Sequence, residues 1–130
     1  PLVIHSRAAD RDTLRMMRQF VPRHWRVHIH SYRGGVPFLE ILLEEWDKTY
    51  IGVSGLVTLN DAHANDLAKR CPLERMLLET DAPYLPVLGH SYSHPGLVPS
   101  LAKAVANLRG ASVEEVLKVT RENARIVYGI

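Results

Sequence analysis

Cysteine is nearly absent: Cys71 stands alone, so no disulfide can form within the chain. It precedes Pro72, between a predicted helix and a predicted strand, and reads as a buried structural thiol rather than a reactive one. Long apolar runs are also lacking. None approaches a membrane span, and no charged-then-apolar leader opens the chain. The reading therefore includes no membrane partner and expects an intracellular site, nuclear or cytoplasmic. Charge of one sign is scarce as well. The 16 Lys+Arg and 14 Asp+Glu leave a formal charge of +2, too little to mark a nucleic-acid binder on charge alone. There are no blocks of like charge, no repeats and no low-complexity segments. What remains is 46% hydrophobic and 23% charged over 130 residues, which excludes a disordered chain and suffices for one domain with a core.

Apolar patterning divides the chain into alternating elements. Strands are predicted at Leu2 to His5, Trp25 to Ser31, Thr49 to Val53 and Met76 to Glu79. Helices are predicted from Asp10 to Val21 and from Pro37 to about Trp46. A third starts at a cap on Asn60 or Asp61 and runs through Lys69. Residues 82–97 hold Pro83, Pro86 and Pro95 without periodicity and read as a long loop. Two more helices close the chain. One runs from about Pro99 to Arg109 and stops at Gly110. The other starts at Ser112, which with Glu115 forms a capping box, and runs to about Tyr128 with Val116, Leu117, Val119, Ala124 and Val127 inward.

The order β-α-β-α-β-α-β-loop-α-α implies a parallel sheet with helical cover. Four strands cannot close a barrel, which needs eight. Four β/α units read equally well as half a barrel or as a small open sheet. The chain enters an apolar strand directly after Pro1, and a domain rarely begins so abruptly. The expectation is a piece whose upstream part lies elsewhere.

Three ligand-type side chains sit at the C-terminal ends of predicted strands: His5, His30 and Asp81. In a parallel β/α barrel that rim holds the active site. Imidazole with carboxylate suits zinc, manganese or a similar divalent ion. Each also has a plainer reading: a strand-end histidine can be structural, and Asp81 ahead of Pro83 can start a turn.

The motifs narrow these choices. Pro1-Leu2-Val3-Ile4-His5-Ser6-Arg7, His28-Ile29-His30-Ser31-Tyr32-Arg33-Gly34, Ile51-Gly52-Val53-Ser54-Gly55, Leu73 through Tyr84 (LERMLLETDAPY) and Thr120-Arg121-Glu122-Asn123-Ala124 resemble, in order and interval, segments of the TatD family of metal-dependent deoxyribonucleases. The resemblance covers the whole chain, and ETDAPY is its most specific part. It implies a (β/α)8 TIM barrel of the metal-dependent hydrolase type, of which residues 1–130 would supply only the second half, the fifth to eighth strands with their helices. His5, His30 and Asp81 would then be metal ligands on the fifth, sixth and eighth strands. The ligands of the first and fourth strands would belong to the missing N-terminal half of the barrel. His28 and His30 form an H-x-H on one face. His30 is read as the ligand and His28 as a deeper barrel residue.

The resemblance implies a hydrolase of nucleic-acid phosphodiesters, a 3′–5′ exonuclease on DNA with RNA as a second substrate. The cofactor would be Zn, Mg or Mn, with one or two ions per site. Asp81, bound to metal, would also accept the proton of the attacking water. Two alternatives stay open: an amidohydrolase-type enzyme acting on a small ester, amide or phosphotriester, and a non-catalytic binding scaffold.

Supporting roles are read for Glu79, orienting a ligand or a water, or simply a partnered barrel carboxylate. Arg7 would grip phosphate or pair with Asp10 or Asp12. Tyr84 and Tyr92 would stack on bases or pack the loop down. His24, His63 and His90 read as surface residues. The chain departs from the family pattern at Ser31, Tyr32 and Arg33, where Cys, Phe and Ser are usual. It departs again at His94, where an acid is common, which bears on substrate contacts. These 130 residues alone are expected to be inactive and marginally folded, with inner faces at Val3, Val27 and Ile51 losing cover.

Overall fold

Runs of β-favouring residues become strands wherever helices cover them. The computed structural model describes all 130 residues. Strands β1 (Leu2–His5), β2 (Val27–His30), β3 (Thr49–Val53) and β4 (Met76–Leu78) form one sheet in sequential order, every pair parallel. Helices α1 (Asp10–Phe20), α2 (Val36–Glu45) and α3 (Ala62–Arg70) connect them, and α4 (Val98–Arg109) and α5 (Val113–Tyr128) follow a long loop. The predicted element order holds. Between β3 and α3 a 3₁₀ turn, Gly55–Leu59, adds an element that the sequence reading lacked.

Local chemistry sets the helix ends. Of the two candidate caps for α3, Asp61 is the one used: it accepts from the Ala64 amide at 2.9 Å. Gly110 ends α4 at φ +66°, a left-handed position that glycine takes without a Cβ clash. Ser112 accepts from the Glu115 amide at 3.1 Å, one half of the expected box.

Alternation along the strands separates two faces. Val27, Ile29, Ile51, Val53 and Met76 face the helices and are fully buried, joining Met17, Leu42, Trp46, Leu101 and Val105 in one core. Val27 and Ile51 therefore keep their cover, contrary to expectation. Val3, on the sheet edge β1, is open to solvent as expected, and so is Leu2. Cys71 is buried as expected, and burial pushes its thiol up to about 12.

Helix α5 lies across the N-terminal ends of the strands. Asn123 donates to the carbonyls of Leu73 and Met76, both at 2.8 Å, and Arg26 donates to Ile126 O at 2.8 Å. Its buried positions are Val116, Thr120, Asn123 and Val127, whereas Leu117, Val119 and Ala124 are only partly covered. The two polar residues go inside because each has a partner, Thr120 through the Val116 carbonyl at 2.8 Å. No helix is long and apolar enough to cross a membrane.

Candidate metal centre

The second sheet face carries His5, His28, His30, Gly52 and Glu79 by strand alternation. His5 and His30 are direct partners in the β1–β2 register, and their rings lie 5.8 Å apart. Asp81 follows β4, where the Glu79 amide extends the ladder to Val53 O at 3.0 Å. The next turn places Asp81 at φ +53°, a left-handed position unusual for a residue with a side chain. Its Oδ1 is buried, has no hydrogen-bond partner, and lies 3.7 Å from His30 Nε2.

Glu79 ties this rim together. Its Oε2 lies 2.7 Å from His30 Nδ1 and 3.2 Å from His28 Nε2, and its Oε1 accepts from the Ser31 amide. Ser31 is itself left-handed, at φ +44°. Burial pushes the Glu79 carboxyl up, but the imidazoles of His28 and His30 and the Ser31 amide outweigh it and leave it below the usual value. His30 moves the other way. Burial lowers its imidazole, but the Glu79 carboxylate, with help from Asp81, raises it overall.

Gly52 of β3 makes room for this carboxylate. A Cβ there would overlap the Glu79 side chain and come within 2.9 Å of His28 Nε2. A glycine inside a strand often signals such close approach. Tyr128, at the end of α5, lies 2.6 Å from His28 Nδ1 through its hydroxyl. Sequence reasoning found neither residue.

Two sets of ligand-type side chains share His30, and one of them is ion-sized. One is His28, His30 and Glu79, whose ligand atoms all lie within 4.8 Å of one another. The other faces His5, His30 Nε2 and Asp81. The Glu79 oxygens already hold partners, whereas the Asp81 Oδ1 has none. A buried acceptor without a donor is costly unless something positive sits beside it. His28 Nε2 in the first set likewise has no hydrogen-bond partner, so each set keeps one unpartnered buried atom.

The remaining sequence candidates lie further out. Arg7 is exposed and pairs with neither acid expected of it; Asp12 instead pairs with Arg15 at 3.2 Å. Tyr84 and Tyr92 are 75% and 62% exposed, so they do not pack the loop down. His94 is exposed, and its ring neighbours are Tyr92 and His90, not the rim histidines. His24, His63 and His90 are on the surface as expected. At the departures, the Tyr32 ring stacks on Phe38 and its hydroxyl donates to Gly35 O at 2.7 Å. A surface hollow of about 470 Å³, lined by Val57, Asn65 and Lys103, includes none of the rim residues.

A family profile described as TatD related DNase matches residues 1–129. The human protein 3′-5′ RNA nuclease TATDN2 is 35% identical over 136 residues, covering 100% of this chain and 18% of that one. The uncharacterized metal-dependent hydrolase YcfH of Escherichia coli K12 is 34% identical over 132 residues, covering 98% of this chain and 49% of YcfH. The crystal structure of YJJV, a TatD homolog from Escherichia coli K12, superposes with a TM-score of 0.83 at 24% identity, over 100% of this chain and 50% of that one. That likeness speaks to the fold alone. The chain thus spans about half of YcfH and of YJJV, and less of the human nuclease.

Proposed function

This chain belongs to the TatD related DNase family, and from that premise we propose that it forms the second half of a (β/α)8 barrel in a divalent-metal-dependent nuclease. Residues 1–130 would be the C-terminal part of a single barrel domain. The matched relatives run to roughly twice its length or more, and its four sequential parallel strands leave an open edge at β1. The substrate would be nucleic acid, DNA or RNA, shortened from its 3′ end.

One observation carries this reading: the buried, unpartnered Asp81 Oδ1 at 3.7 Å from His30 Nε2. His5, His30 and Asp81 would hold Zn, Mg or Mn, with the remaining ligands drawn from the upstream half. Such an ion would lower the pKa of a bound water and polarise a phosphoryl oxygen. The residues do the rest. Glu79 holds His30 by Nδ1 and leaves Nε2 as the donor atom. Asp81 takes the proton of the attacking water. Arg7, exposed just beyond His5, offers its planar fork to the phosphate as charge develops.

The test uses the full-length protein on end-labelled single-stranded DNA and RNA with added zinc, manganese or magnesium. Stepwise shortening from the 3′ end is expected. Asp81→Asn keeps the shape and removes the base, so turnover should fall by about 10²-fold or more while the thermal melt stays close to wild type. Near-normal turnover in the variant would contradict the proposal. So would hydrolysis confined to small esters.

A further inference from the structure

Four side chains from three elements form a continuous line from beneath the sheet to its rim. Tyr128 on α5 meets His28 Nδ1 at 2.6 Å. His28 Nε2 faces Glu79 Oε2 at 3.2 Å, and Glu79 Oε2 meets His30 Nδ1 at 2.7 Å. The Tyr128 and His28 rings are edge-on, 6.1 Å apart, and so are those of His28 and His30. His28 is buried, and its Nε2 faces Glu79 without forming a hydrogen bond to it.

A carboxylate only accepts hydrogen bonds. His30 Nδ1 therefore donates to Glu79, and repulsion between a lone pair and the carboxylate favours hydrogen on His28 Nε2 as well. A neutral imidazole has one N–H and one lone pair. The lone pair of His28 then falls on Nδ1, where the Tyr128 hydroxyl must donate. The lone pair of His30 falls on Nε2, the nitrogen facing Asp81. One carboxylate thus fixes both tautomers. Gly52 leaves the slot in which this carboxylate sits, since a Cβ there would overlap it.

We propose that Tyr128 is a positioning residue for the rim site: its hydroxyl locks His28, and His28 with Glu79 holds His30 so that Nε2 is free to bind. Its importance for catalysis rests on the metal reading above, but the geometry stands without it. The competing grouping of His28, His30 and Glu79 around an ion demands the opposite pattern. There, lone pairs would be needed on His28 Nε2 and His30 Nδ1, and Tyr128 would accept rather than donate.

Long-range proton–nitrogen NMR on nitrogen-labelled, metal-free full-length protein reads the tautomers directly at alkaline pH. His28 should be protonated on Nε2 and His30 on Nδ1; the reverse pattern overturns the proposal. Tyr128→Phe keeps the ring and deletes one hydroxyl. In that variant the His28 Nδ1 signal should shift to that of an unbonded nitrogen. Zinc affinity by calorimetry should fall about tenfold, the low end for groups behind metal ligands. Unchanged His28 and His30 signals in the variant overturn the proposal. A wild type with the expected tautomers but no zinc binding contradicts the metal reading and leaves the Tyr128 assignment standing.

Discussion

His30 Nδ1 lies 2.7 Å from Glu79 Oε2 across 49 residues of chain, and that bond decides which nitrogen of His30 faces Asp81. Glu79→Gln puts the question to it. An amide can accept at one atom only, so it cannot serve the Ser31 amide and both imidazoles together. Zinc affinity of the full-length protein should fall about 10- to 100-fold, with the circular dichroism spectrum unchanged. Wild-type affinity in the variant would remove Glu79 from the support of the site.

Asn123, inside the closing TRENA segment, should matter for stability rather than chemistry. It is buried and donates to the carbonyls of Leu73 and Met76, pinning α5 to the start of β4. Asn123→Leu keeps the branched shape and removes both bonds; the Leu73 carbonyl still accepts from the Met76 amide, whereas the Met76 carbonyl loses its side-chain partner, at about 1–3 kcal/mol for a buried group. Chemical denaturation of the full-length protein measures the loss. A change within about 0.5 kcal/mol, the range of an ordinary surface substitution, would contradict this role.

Acid should weaken the α1–α2 corner through Glu45. Arg18 at 2.5 Å, together with Arg23, holds its carboxyl at about 2, well below the usual 4.5. Its folded value is depressed, so the stabilisation is present above about 4.5 and is lost as pH falls toward 2. The arginines are half exposed, so the effect is modest and fades in high salt. Denaturation midpoints of wild type and Glu45→Gln should differ at neutral pH and converge in acid. Parallel curves over the whole range would contradict the assignment.

Much of this architecture was legible in the sequence because it is local. Apolar runs bounded by Pro72, Gly110 and Ser112 gave the element order, and the rim positions of His5, His30 and Asp81 follow from strand ends. The rest depends on distant pairings. Tyr128 and His28 are 100 residues apart, and nothing near either announces the other. Gly52 did carry a signal, a glycine within an apolar strand, but what fills the space is Glu79, just past β4. The GLVTL stretch has no helical period, so its 3₁₀ turn was invisible. The inner face of α5 misled for another reason: Thr120 and Asn123 are polar by type yet buried by partnership.

The most direct test is the position of the ion itself. Crystals of the full-length protein grown with zinc or manganese, measured at the metal's absorption edge, locate it without reference to activity. The account predicts an anomalous peak bonded to His5, His30 Nε2 and Asp81, with zinc about 2.0–2.2 Å from its N and O ligands. A peak seated among His28 Nε2, His30 Nδ1 and Glu79, or none at the rim, would contradict it.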